Sequence, residues 1–573
     1  MRGGIGLVAR GWPAARLREP ARVGSHPGRA ARSSGIARCV MKCAVRIALP
    51  LVFLVAGLLD NVVAGQHETG REERLRQASD VCELPRVAAR LVGSPRELPP
   101  AFYGFNVNLA NARASWRDPR FVRAVQDLRP GNLRYPGGTL ANYWNWRTGE
   151  LLQHPGAPRW PQGSPAPYRL EDLKLAVDAT GASPVLVLNM LTSTLEEQLA
   201  MLRHARHLGV PVRFVELGNE FYLSDKTYIE RFPTAEDYGT EATQWIDRIK
   251  KEFPEARIAA VGAHETARQA ERRATWNRGL TKTLRGADAI VLHVYVGSGL
   301  GTGTKAGEAA APTRPTGPDR GRDPWYGSPE VQEQQLRALQ TPEGALKVLS
   351  MPFRAVGQLE REMQELRGFG IWVTEYNLFD RVGPLKGTWA HGLFTATMLG
   401  LFLDEPRIEL TCCHVIGSPI TSFATIFVNE DPFHASIVSR RVTPYTPTAC
   451  GIALRAFGRA MREMRSVQKI AFEPEPPRFP SSAVPFRPLL GWSFADGRRR
   501  RLVLLNPGDK DIRLDAQALS VKGCTYEQMS ACPADLVGSA DDLHQTRGEA
   551  ADRLMLPSYS LTLIGEGPAG EGR

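Results

Sequence analysis

Residues 214–223, FVELGNEFYL, begin as an apolar run and end it at a carboxylate, Glu220, beside Asn219. The same arrangement recurs in IWVTEYNLF at residues 371–379, where Glu375 follows a similar apolar run. One glutamate at the end of a strand is ordinarily a solvated side chain. Two of them, at corresponding places in separate strand-like runs, indicate instead that both carboxylates meet in one pocket.

Eight strand-like runs of this kind alternate with amphipathic segments in the middle of the chain. Short, continuously apolar strands that alternate with helices predict a parallel sheet covered on both faces. Eight such units in succession favour a closed (β/α)8 TIM barrel, an α/β fold, over an open sheet. The runs are FYGFNVN (102–108), NLRYPGG (132–138), PVLVLNM (184–190), VRFVELGNE (212–220), RIAAVGA (257–263), AIVLHVYV (289–296), IWVTEYN (371–377) and IELTCCHVI (408–416).

The barrel prediction gives the two glutamates a common location. The carboxyl ends of the strands form one face of a TIM barrel, and side chains at those ends converge on one pocket. Glu220 ends the fourth predicted strand and Glu375 the seventh. We therefore expect both side chains in the pocket at the carboxyl face.

A second domain follows the barrel. Short strand-like runs separated by turn residues, such as LLGWSFAD (489–496) and RRLVLLNP (500–507), are typical of an antiparallel β-sandwich. RVAARLV (86–92) is expected to add a strand to it. Four arginines at 498–501 follow an Asp-Gly turn and form either a solvated hairpin tip or a contact to an acidic glycan. The predicted divisions are a leader at 1–65, a linker with the first sandwich strand at 66–101, the catalytic barrel at 102–430 and the sandwich at 431–573.

The positive charge of the chain is concentrated at its amino terminus. Of a net charge of +12, residues 1–65 supply ten Lys or Arg against two acids, so the remainder is only weakly basic. That distribution argues against a dedicated nucleic-acid binder. The leader also contains MKCAVR (41–46), a 13-residue apolar run (47–59) and small residues (61–65), which is the layout of a secretory signal peptide. We expect a secreted or periplasmic protein, with an uncleaved membrane anchor as the alternative and Met41 as an alternative start to Met1.

The cysteines and histidines do not form a metal-binding motif. No CxxC spacing occurs, which argues against a zinc ribbon. HETAR (264–268) lacks the second histidine of a zinc-protease motif. Cys524 and Cys532 flank a short polar segment and either close a small disulfide loop or remain free thiols. The sequence therefore predicts no metal and no organic cofactor.

The motifs together resemble those of clan A retaining glycoside hydrolases, in particular the arabinofuranosidase (family 51) and heparanase or β-glucuronidase (family 79) branches. ELGNE (216–220) is similar to the acid/base motif of both branches. LRYPGG (133–138) with YWNW (143–146) resembles the second-strand motif of arabinofuranosidases, and HVY (293–295) resembles their sixth strand. Two departures stand out. Thr139 replaces the usual Asn, which is closer to heparanase, and the first strand offers Asn106 and Asn108 where arabinofuranosidases have a substrate-binding Glu.

The resemblance implies a carbohydrate substrate and double displacement by two glutamates. It makes Glu375 the nucleophile and Glu220 the acid/base, and it implies that Asn219 bonds the sugar 2-hydroxyl. An Arg neighbour keeps a nucleophilic carboxylate ionised. The other candidate substrate-binding residues are Arg134 and Tyr295 beside Glu375, Thr139 and Asn106, the orienting histidines His293 and His414, and the possible sugar platforms Trp144, Trp146 and Tyr376, for which core packing is the alternative.

The substrate class is expected from three features. Thr139, the lack of a first-strand Glu and the arginine-rich turn favour uronic-acid glycans of the heparanase or β-glucuronidase kind slightly over α-L-arabinofuranosides. Two readings from other classes stay open: a non-catalytic carbohydrate-binding protein on the same scaffold, and an anchored surface protein.

Overall fold

The computed structural model describes residues 85–107, 114–152, 154, 168–265, 270–300, 329–379, 384–418, 424–428, 442–475 and 486–565. The predicted leader, most of the predicted linker and Asn108 lie outside the described residues. Within the described ranges, no helix combines the length and the hydropathy that crossing a membrane requires.

The strands of the described residues are β1 (Arg86–Glu97), β2 (Tyr103–Asn106), β3 (Asn132–Tyr135), β4 (Trp144–Asn145), β5 (Glu150–Leu151), β6 (Ser183–Val187), β7 (Phe214–Leu217), β8 (Arg257–Val261), β9 (Ala289–Val296), β10 (Gly370–Leu378), β11 (Ile408–Cys413), β12 (Gly417–Ser418), β13 (Ile426–Phe427), β14 (Ser466–Glu473), β15 (Leu490–Ala495), β16 (Arg500–Asn506), β17 (Ile512–Asp515), β18 (Thr525–Ser530), β19 (His544–Glu549), β20 (Arg553–Leu556) and β21 (Ser560–Ile564). The α-helices are α1 (Pro119–Leu128), α2 (Leu170–Thr180), α3 (Leu195–His207), α4 (Lys226–Arg231), α5 (Ala235–Glu252), α6 (Glu271–Thr283), α7 (Pro329–Leu339), α8 (Pro342–Leu349), α9 (Met351–Glu365), α10 (Trp389–Asp404) and α11 (Ala449–Met461).

Eight parallel strands close into a barrel in the order β2, β3, β6, β7, β8, β9, β10 and β11, with β11 paired back onto β2. Each strand falls within one of the eight predicted runs or extends one or two residues beyond it. Several helices begin at side-chain caps, as at Thr234, whose hydroxyl accepts the backbone N–H of Asp237 at the start of α5. The predicted (β/α)8 fold is confirmed.

The interior of the barrel changes from apolar to polar along its axis. Where the strands begin it is filled by Val185, Ala259, Val291, Trp372 and Leu410, among other buried residues. Toward the carboxyl ends the inward-facing positions become charged or polar. On β9, for example, Val291 is followed two residues later by His293 and then by Tyr295, because alternate residues of a strand face the same side. The pocket therefore forms where the apolar filling stops.

The remaining strands form one nine-stranded sheet in the order β19-β18-β21-β16-β15-β14-β1-β17-β20. The two faces of the sheet cover different hydrophobic cores, as β16 shows. Leu502 and Leu504 pack in the core of the sheet itself, whereas Val503 and Leu505 join the hydrophobic cluster of the barrel. The sheet thus curls over a core of its own, as a sandwich requires. The sandwich prediction is confirmed with one refinement, because β1 and β17 pair in parallel while the other pairs are antiparallel.

The arginine-rich turn lies away from the pocket. Asp496 accepts the backbone N–H groups of Arg498 and Arg499, and Arg501 donates to two backbone carbonyls at the end of α11. Close to that end of α11, Gly458 lies against Leu128 and Tyr103, where the barrel strands begin. The turn is a hairpin tip tied to the opposite end of the barrel from the pocket, and an acidic-glycan contact there stays a prediction.

The cysteines of the predicted small loop are free. Cys524 is half-buried and Cys532 is exposed, and neither forms a disulfide. Of the two alternatives drawn from the sequence, the structure has the free thiols.

Candidate active site

The two glutamates reach the pocket by different local structures. Strand β7 stops at Leu217, and the chain turns through Gly218, at φ 88°, to Glu220, at φ 54°. Glu220 therefore lies three residues beyond the strand that it was predicted to end. Glu375 lies inside β10 rather than at its end. These two positions correct the sequence-based placement, although both side chains reach the same pocket.

One extra residue in β10 directs the side chain of Glu375 into the barrel interior. Trp372 pairs with Val291 of β9, but Glu375 pairs with His293, so β10 has one extra residue in this interval. An extra residue of this kind interrupts the alternation of sides. Thr374 and Glu375 consequently both bond groups of the barrel interior: the Thr374 hydroxyl lies 3.2 Å from His293 Nε2, and Glu375 bonds Arg134.

The carboxyl groups of Glu220 and Glu375 lie close together. An oxygen of Glu220, an oxygen of Glu375 and a ring nitrogen of His293 are all within 4.8 Å of one another. Retaining glycosidases hold their two carboxyl groups about 5–5.5 Å apart, and inverting enzymes hold them roughly 6.5–9.5 Å apart. The spacing here fits the retaining arrangement.

Glu375 is buried and surrounded by donors. Its Oε1 accepts from Arg134 Nη1 at 2.7 Å and from Asn106 Nδ2 at 2.8 Å, and its Oε2 accepts from the Tyr295 hydroxyl at 2.6 Å. Burial by itself raises the pKa of a carboxyl group. Here the attraction of His293 and Arg134 and the bond from Tyr295 outweigh burial and hold the pKa of Glu375 well below its usual range. The side chain is an ionised carboxylate.

Glu220 has a different environment, because its side chain is 18% exposed against 6% for Glu375. Its Oε1 accepts from the Tyr222 hydroxyl at 2.8 Å and lies 3.0 Å from His293 Nδ1. Burial lowers the pKa of His293, but the neighbouring carboxylates of Glu375 and Glu220 more than compensate and raise it. His293 thus stands between the two glutamates and bonds Glu220.

Arg134 and Glu216 form a fully buried ion pair beneath the glutamates. Arg134 donates from Nε and Nη2 to the two oxygens of Glu216 at 2.8 and 2.6 Å, and from Nη2 to Asn219 Oδ1 at 2.8 Å. Sequence reasoning missed Glu216. The available signal was a glutamate inside a run expected to be buried, because a buried carboxylate needs a cation and Arg134 stands in another buried strand, β3, two places away in the barrel.

Asn219 is fixed on both its side chain and its backbone. Arg134 orients its amide oxygen, and the side chain of Asn142 bonds both the N–H and the carbonyl of its backbone. Among the described residues, the Asn219 Nδ2 atom is buried and has no hydrogen-bond partner. An oriented buried donor of this kind is suited to a ligand hydroxyl.

His414 and Asn106 complete the wall beside Glu375. His414 Nδ1 lies 2.8 Å from Asn106 Nδ2 and 3.7 Å from Glu375 Oε2. Because the Asn106 amide nitrogen donates, His414 Nδ1 is the acceptor and the ring is neutral. Burial lowers the pKa of His414, in agreement with a neutral ring.

Three of the other predicted site residues make no described hydrogen bond to the two glutamates. Thr139 is half-buried on the 3-10 helix Gly138–Tyr143, and no described hydrogen bond links it to the two glutamates. Trp144 is 2% exposed, and its Nε1 donates to the carbonyl of Tyr168. Tyr376 is fully buried, with its ring 5.3 Å from that of Phe402 on α10. Of the two alternatives drawn from the sequence for Trp144 and Tyr376, sugar platform or core packing, the structure has core packing.

Trp146 differs from these two rings. It is half-buried, and the guanidinium of Arg147 lies 4.3 Å from its ring. Its role as a sugar platform stays a prediction.

One group of described side chains is close enough to share a metal ion: Glu220, His293 and Glu375. An ion there would lie near the positive guanidinium of Arg134, which is 2.7 Å from Glu375 Oε1. Both Glu375 oxygens already accept hydrogen bonds from side chains. The sequence-based prediction of no metal stays a prediction.

Comparison with known proteins shows a similar fold in solved structures of glycosidases. No protein-family model matches the chain. A curated relative, α-L-arabinofuranosidase C of Emericella nidulans, is 26% identical over 161 residues, which is 25% of this chain. The match spans 31% of the length of that relative.

Three solved structures have a similar fold. An α-L-arabinofuranosidase from Thermotoga maritima, in an arabinose complex, is 15% identical with a TM-score of 0.55, over 84% of this chain and 99% of that one. A family 51 α-L-arabinofuranosidase from Bifidobacterium longum is 13% identical with a TM-score of 0.56 over the same shares. A 4-O-α-L-rhamnosyl-β-D-glucuronidase from Fusarium oxysporum is 12% identical with a TM-score of 0.50, over 83% and 100%. The predicted resemblance to both branches is confirmed at the level of the fold.

Proposed function

We propose that this protein is a retaining O-glycoside hydrolase in which Glu375 is the nucleophile and Glu220 is the acid/base. The observation that carries the proposal is the pair itself: oxygens of the two carboxyl groups lie within 4.8 Å at the carboxyl face of a barrel. Their surroundings differ as the chemistry demands, since Glu375 accepts three side-chain bonds and is held ionised while Glu220 is more exposed.

The reaction proceeds in two displacements. In the first, a Glu375 oxygen forms a bond to the anomeric carbon, the bond from that carbon to the leaving oxygen breaks, and Glu220 gives its proton to the leaving oxygen. In the second, water gives a proton to Glu220 and attacks the anomeric carbon, and the ester bond to Glu375 breaks. Two inversions leave the configuration of the sugar unchanged. The Asn219 Nδ2 atom is placed to donate to a sugar hydroxyl during both steps.

Two substrate classes are supported by different observations. The curated relative is named an α-L-arabinofuranosidase, which favours an arabinofuranoside. Thr139 and the Asn at position 106 in place of a Glu favour a uronic-acid glycan of the β-glucuronide kind. The arginine turn at 498–501 was the third argument for an acidic sugar, and its position at the other end of the barrel removes it. We therefore place the arabinofuranoside first and the β-glucuronide second.

The activity is tested with a panel of 4-nitrophenyl glycosides that includes the α-L-arabinofuranoside and the β-D-glucuronide. The relative turnover of these two glycosides shows which substrate class is preferred. Turnover of the glucuronide alone would reverse the order. Sugar binding without turnover of any glycoside would favour the non-catalytic alternative.

The roles of the glutamates are tested by substitution. Glu375→Ala is expected to abolish turnover for every leaving group. Glu220→Ala is expected to reduce hydrolysis of poor leaving groups by about 100-fold or more, while nitrophenolate leaves without protonation. Azide should yield a product of retained configuration with Glu220→Ala and of inverted configuration with Glu375→Gly. Swapped stereochemistry would exchange the two assignments.

Export is also a proposal, and it rests on the signal-like sequence at 41–65. Protein purified from its native host is expected to begin near Gln66. Intact protein beginning at Met1 in the cytosol would overturn the proposal, and mature protein that retains 41–65 in a membrane fraction would favour the anchor.

A further inference from the structure

The segment that carries Glu220 needs external support. Between the end of β7 and α4 the chain passes through Gly218 at φ 88° and Glu220 at φ 54°. A positive φ is uncommon for a residue other than glycine and persists where the surroundings hold it. The segment is not part of a strand or helix, so the backbone groups that its own turns do not pair need partners from other elements.

Asn142 supplies those bonds from a neighbouring loop. It lies on the 3-10 helix Gly138–Tyr143 that follows β3, and it is fully buried. Its Oδ1 accepts the backbone N–H of Asn219 at 3.1 Å, and its Nδ2 donates to the backbone carbonyl of Asn219 at 2.8 Å. One side-chain amide therefore pairs with both polar groups of the residue that directly precedes Glu220, as a neighbouring strand would.

The loop that bears Asn142 is itself held in place. The Asn142 carbonyl accepts from the Thr192 hydroxyl at 2.8 Å, and Thr192 is bonded to Asn189 through the Asn189 amide nitrogen at 2.9 Å. Asn189 also donates to the carbonyl of Trp144 at 3.2 Å. The loops after β3, β6 and β7 are thus joined in sequence, and Asn142 is the link to the glutamate segment.

A buried asparagine with satisfied hydrogen bonds is often only a structural residue. Two features indicate that Asn142 also affects the position of Glu220. Both bonds to Asn219 act on the peptide groups that set the direction of the following residue, Glu220. The further bond of Asn142, from Nδ2 to the Tyr228 hydroxyl at 3.1 Å, touches neither catalytic carboxyl group. Asn142 therefore affects the position of the acid/base Glu220 but takes no part in the proposed reaction.

We propose that Asn142 is a positioning residue that fixes the acid/base Glu220 over the leaving oxygen. The inference rests on the proposed function and adds to it a residue outside the catalytic pair. A shift of the segment would separate Glu220 from the leaving oxygen while leaving Glu375 and its partners on β2, β3 and β9 in place. The Asn219 side chain keeps its own bond to Arg134, so the loss should be larger for poor leaving groups, which depend on Glu220.

Asn142→Asp is the test. The substitution keeps the size of the side chain and one acceptor, but it sets a carboxylate oxygen against the Asn219 carbonyl in place of the donor. For a glycoside with a poor, alkyl leaving group we expect kcat/KM to fall by about 100-fold, the scale of general acid catalysis. For the 4-nitrophenyl glycoside we expect kcat and KM to fall together, because the glycosyl-enzyme accumulates when the base is displaced. Azide should then speed turnover and give a product of retained configuration.

Tyr228→Phe is the matched control. It removes the third bond of Asn142 and leaves both bonds to Asn219, so it should leave leaving-group dependence and the response to azide as in the wild type. Asn142→Ser, which is smaller and replaces the amide with a hydroxyl that cannot pair with both backbone groups of Asn219, provides a second variant if Asn142→Asp does not fold.

Equal losses for good and poor leaving groups in a folded variant, with no response to azide, would overturn the proposal, because a merely structural residue gives that pattern. This result is distinct from failure of the proposed function. The latter appears as a lack of turnover by the wild-type protein, or as full activity of Glu375→Ala, whatever Asn142→Asp does.

Discussion

A single guanidinium, that of Arg134, joins the groups that the proposed reaction needs. It is fully buried and donates to Glu216, Glu375 and Asn219. The bidentate pair with Glu216 fixes the plane of the guanidinium, which leaves Nη1 directed at Glu375. Glu216 therefore affects the nucleophile without touching it.

Glu216→Gln is expected to show this dependence. The amide nitrogen of Gln would face an Arg134 donor, and a buried pair broken on one side is destabilised by about 3–5 kcal/mol. Arg134 would shift, and a displacement of the order of 1 Å near the chemistry lowers kcat by roughly 100-fold. Because Arg134 acts on the nucleophile, the loss should be similar for good and poor leaving groups. Urea unfolding and kinetics with both kinds of glycoside measure the two effects.

Glu409→Gln serves as the control for that experiment. It alters another Arg–Glu pair of the barrel, with Arg257 at 2.7 Å, where the strands begin. We expect it to leave the activity of the folded molecules unchanged. Wild-type kinetics in Glu216→Gln would mean that Arg134 is held by its other partners.

His293 should make the stability depend on pH. Its pKa is raised in the folded protein by Glu375 and Glu220, above the ordinary value of 6.5. A raised folded pKa contributes stability that is fully present below the ordinary value and is lost as the pH rises through the folded value. His293→Gln should therefore lower the free energy of unfolding more at about pH 5.5 than at about pH 9. Urea unfolding of both proteins at the two values measures the difference. A difference that grows with pH would contradict the ion-pair argument.

The sequence predicted the residues whose signal was local and missed those that depend on three-dimensional pairing. Glu220 and Glu375 stood out because each was a carboxylate near the end of an apolar run. Glu216 did not, because its significance comes from Arg134, which is 82 residues away in the chain. Asn142 likewise acts on a segment 77 residues away.

At the scale of elements, the strand pattern was predictable and the local irregularities were not. Apolar runs mark the eight strands, but the amino-acid pattern of β10 does not indicate its extra residue. It decides that Glu375 faces the pocket and that Tyr376 faces α10. A regular alternation continued from Trp372 would instead turn Tyr376 toward the barrel interior and Glu375 away from it.

The turn after β3 sets the position of Asn106. Gly137 has a φ of 77°, and a Cβ there would lie 1.8 Å from Asn106 Oδ1. Gly137→Ala should therefore push Asn106 away from Glu375 and His414, in addition to straining the backbone. We expect a loss of both stability and turnover, measured by thermal unfolding and by kcat per folded molecule.

Gly181→Ala is the control that distinguishes the effect of backbone strain from the effect of displacing Asn106. Gly181 has a φ of 70°, and nothing lies within 4 Å of a Cβ there. This variant should lose stability and keep turnover. Equal effects of the two substitutions on turnover would show that Asn106 is not displaced.

At the scale of the whole molecule, the barrel and the sheet share one hydrophobic cluster. Trp492 of β15 packs against Gly400 of α10, where an added Cβ would lie 2.1 Å from the ring, and its centroid is 5.6 Å from that of Phe457 of α11. Its Nε1 donates to Asp404 at 2.9 Å. The predicted boundary at residue 430 stays a prediction, but α10 and α11 have apolar faces that the sheet covers.

This shared core predicts that barrel and sheet unfold together. Removing Trp492 leaves a cavity between them, and Trp→Ala substitutions in a core are destabilising by about 3–5 kcal/mol. Trp492→Ala should lower the melting temperature while the calorimetric transition stays single, with loss of activity coinciding with loss of far-UV circular dichroism. Ile512→Ala, in the separate core of the sheet, is the comparison. If the sheet were an independent unit, either variant would split the transition and the barrel would keep its activity after the sheet had melted. If the cluster makes one unit, both variants shift a single transition, because exposure of the apolar faces of α10 and α11 destabilises the barrel as soon as the sheet leaves it.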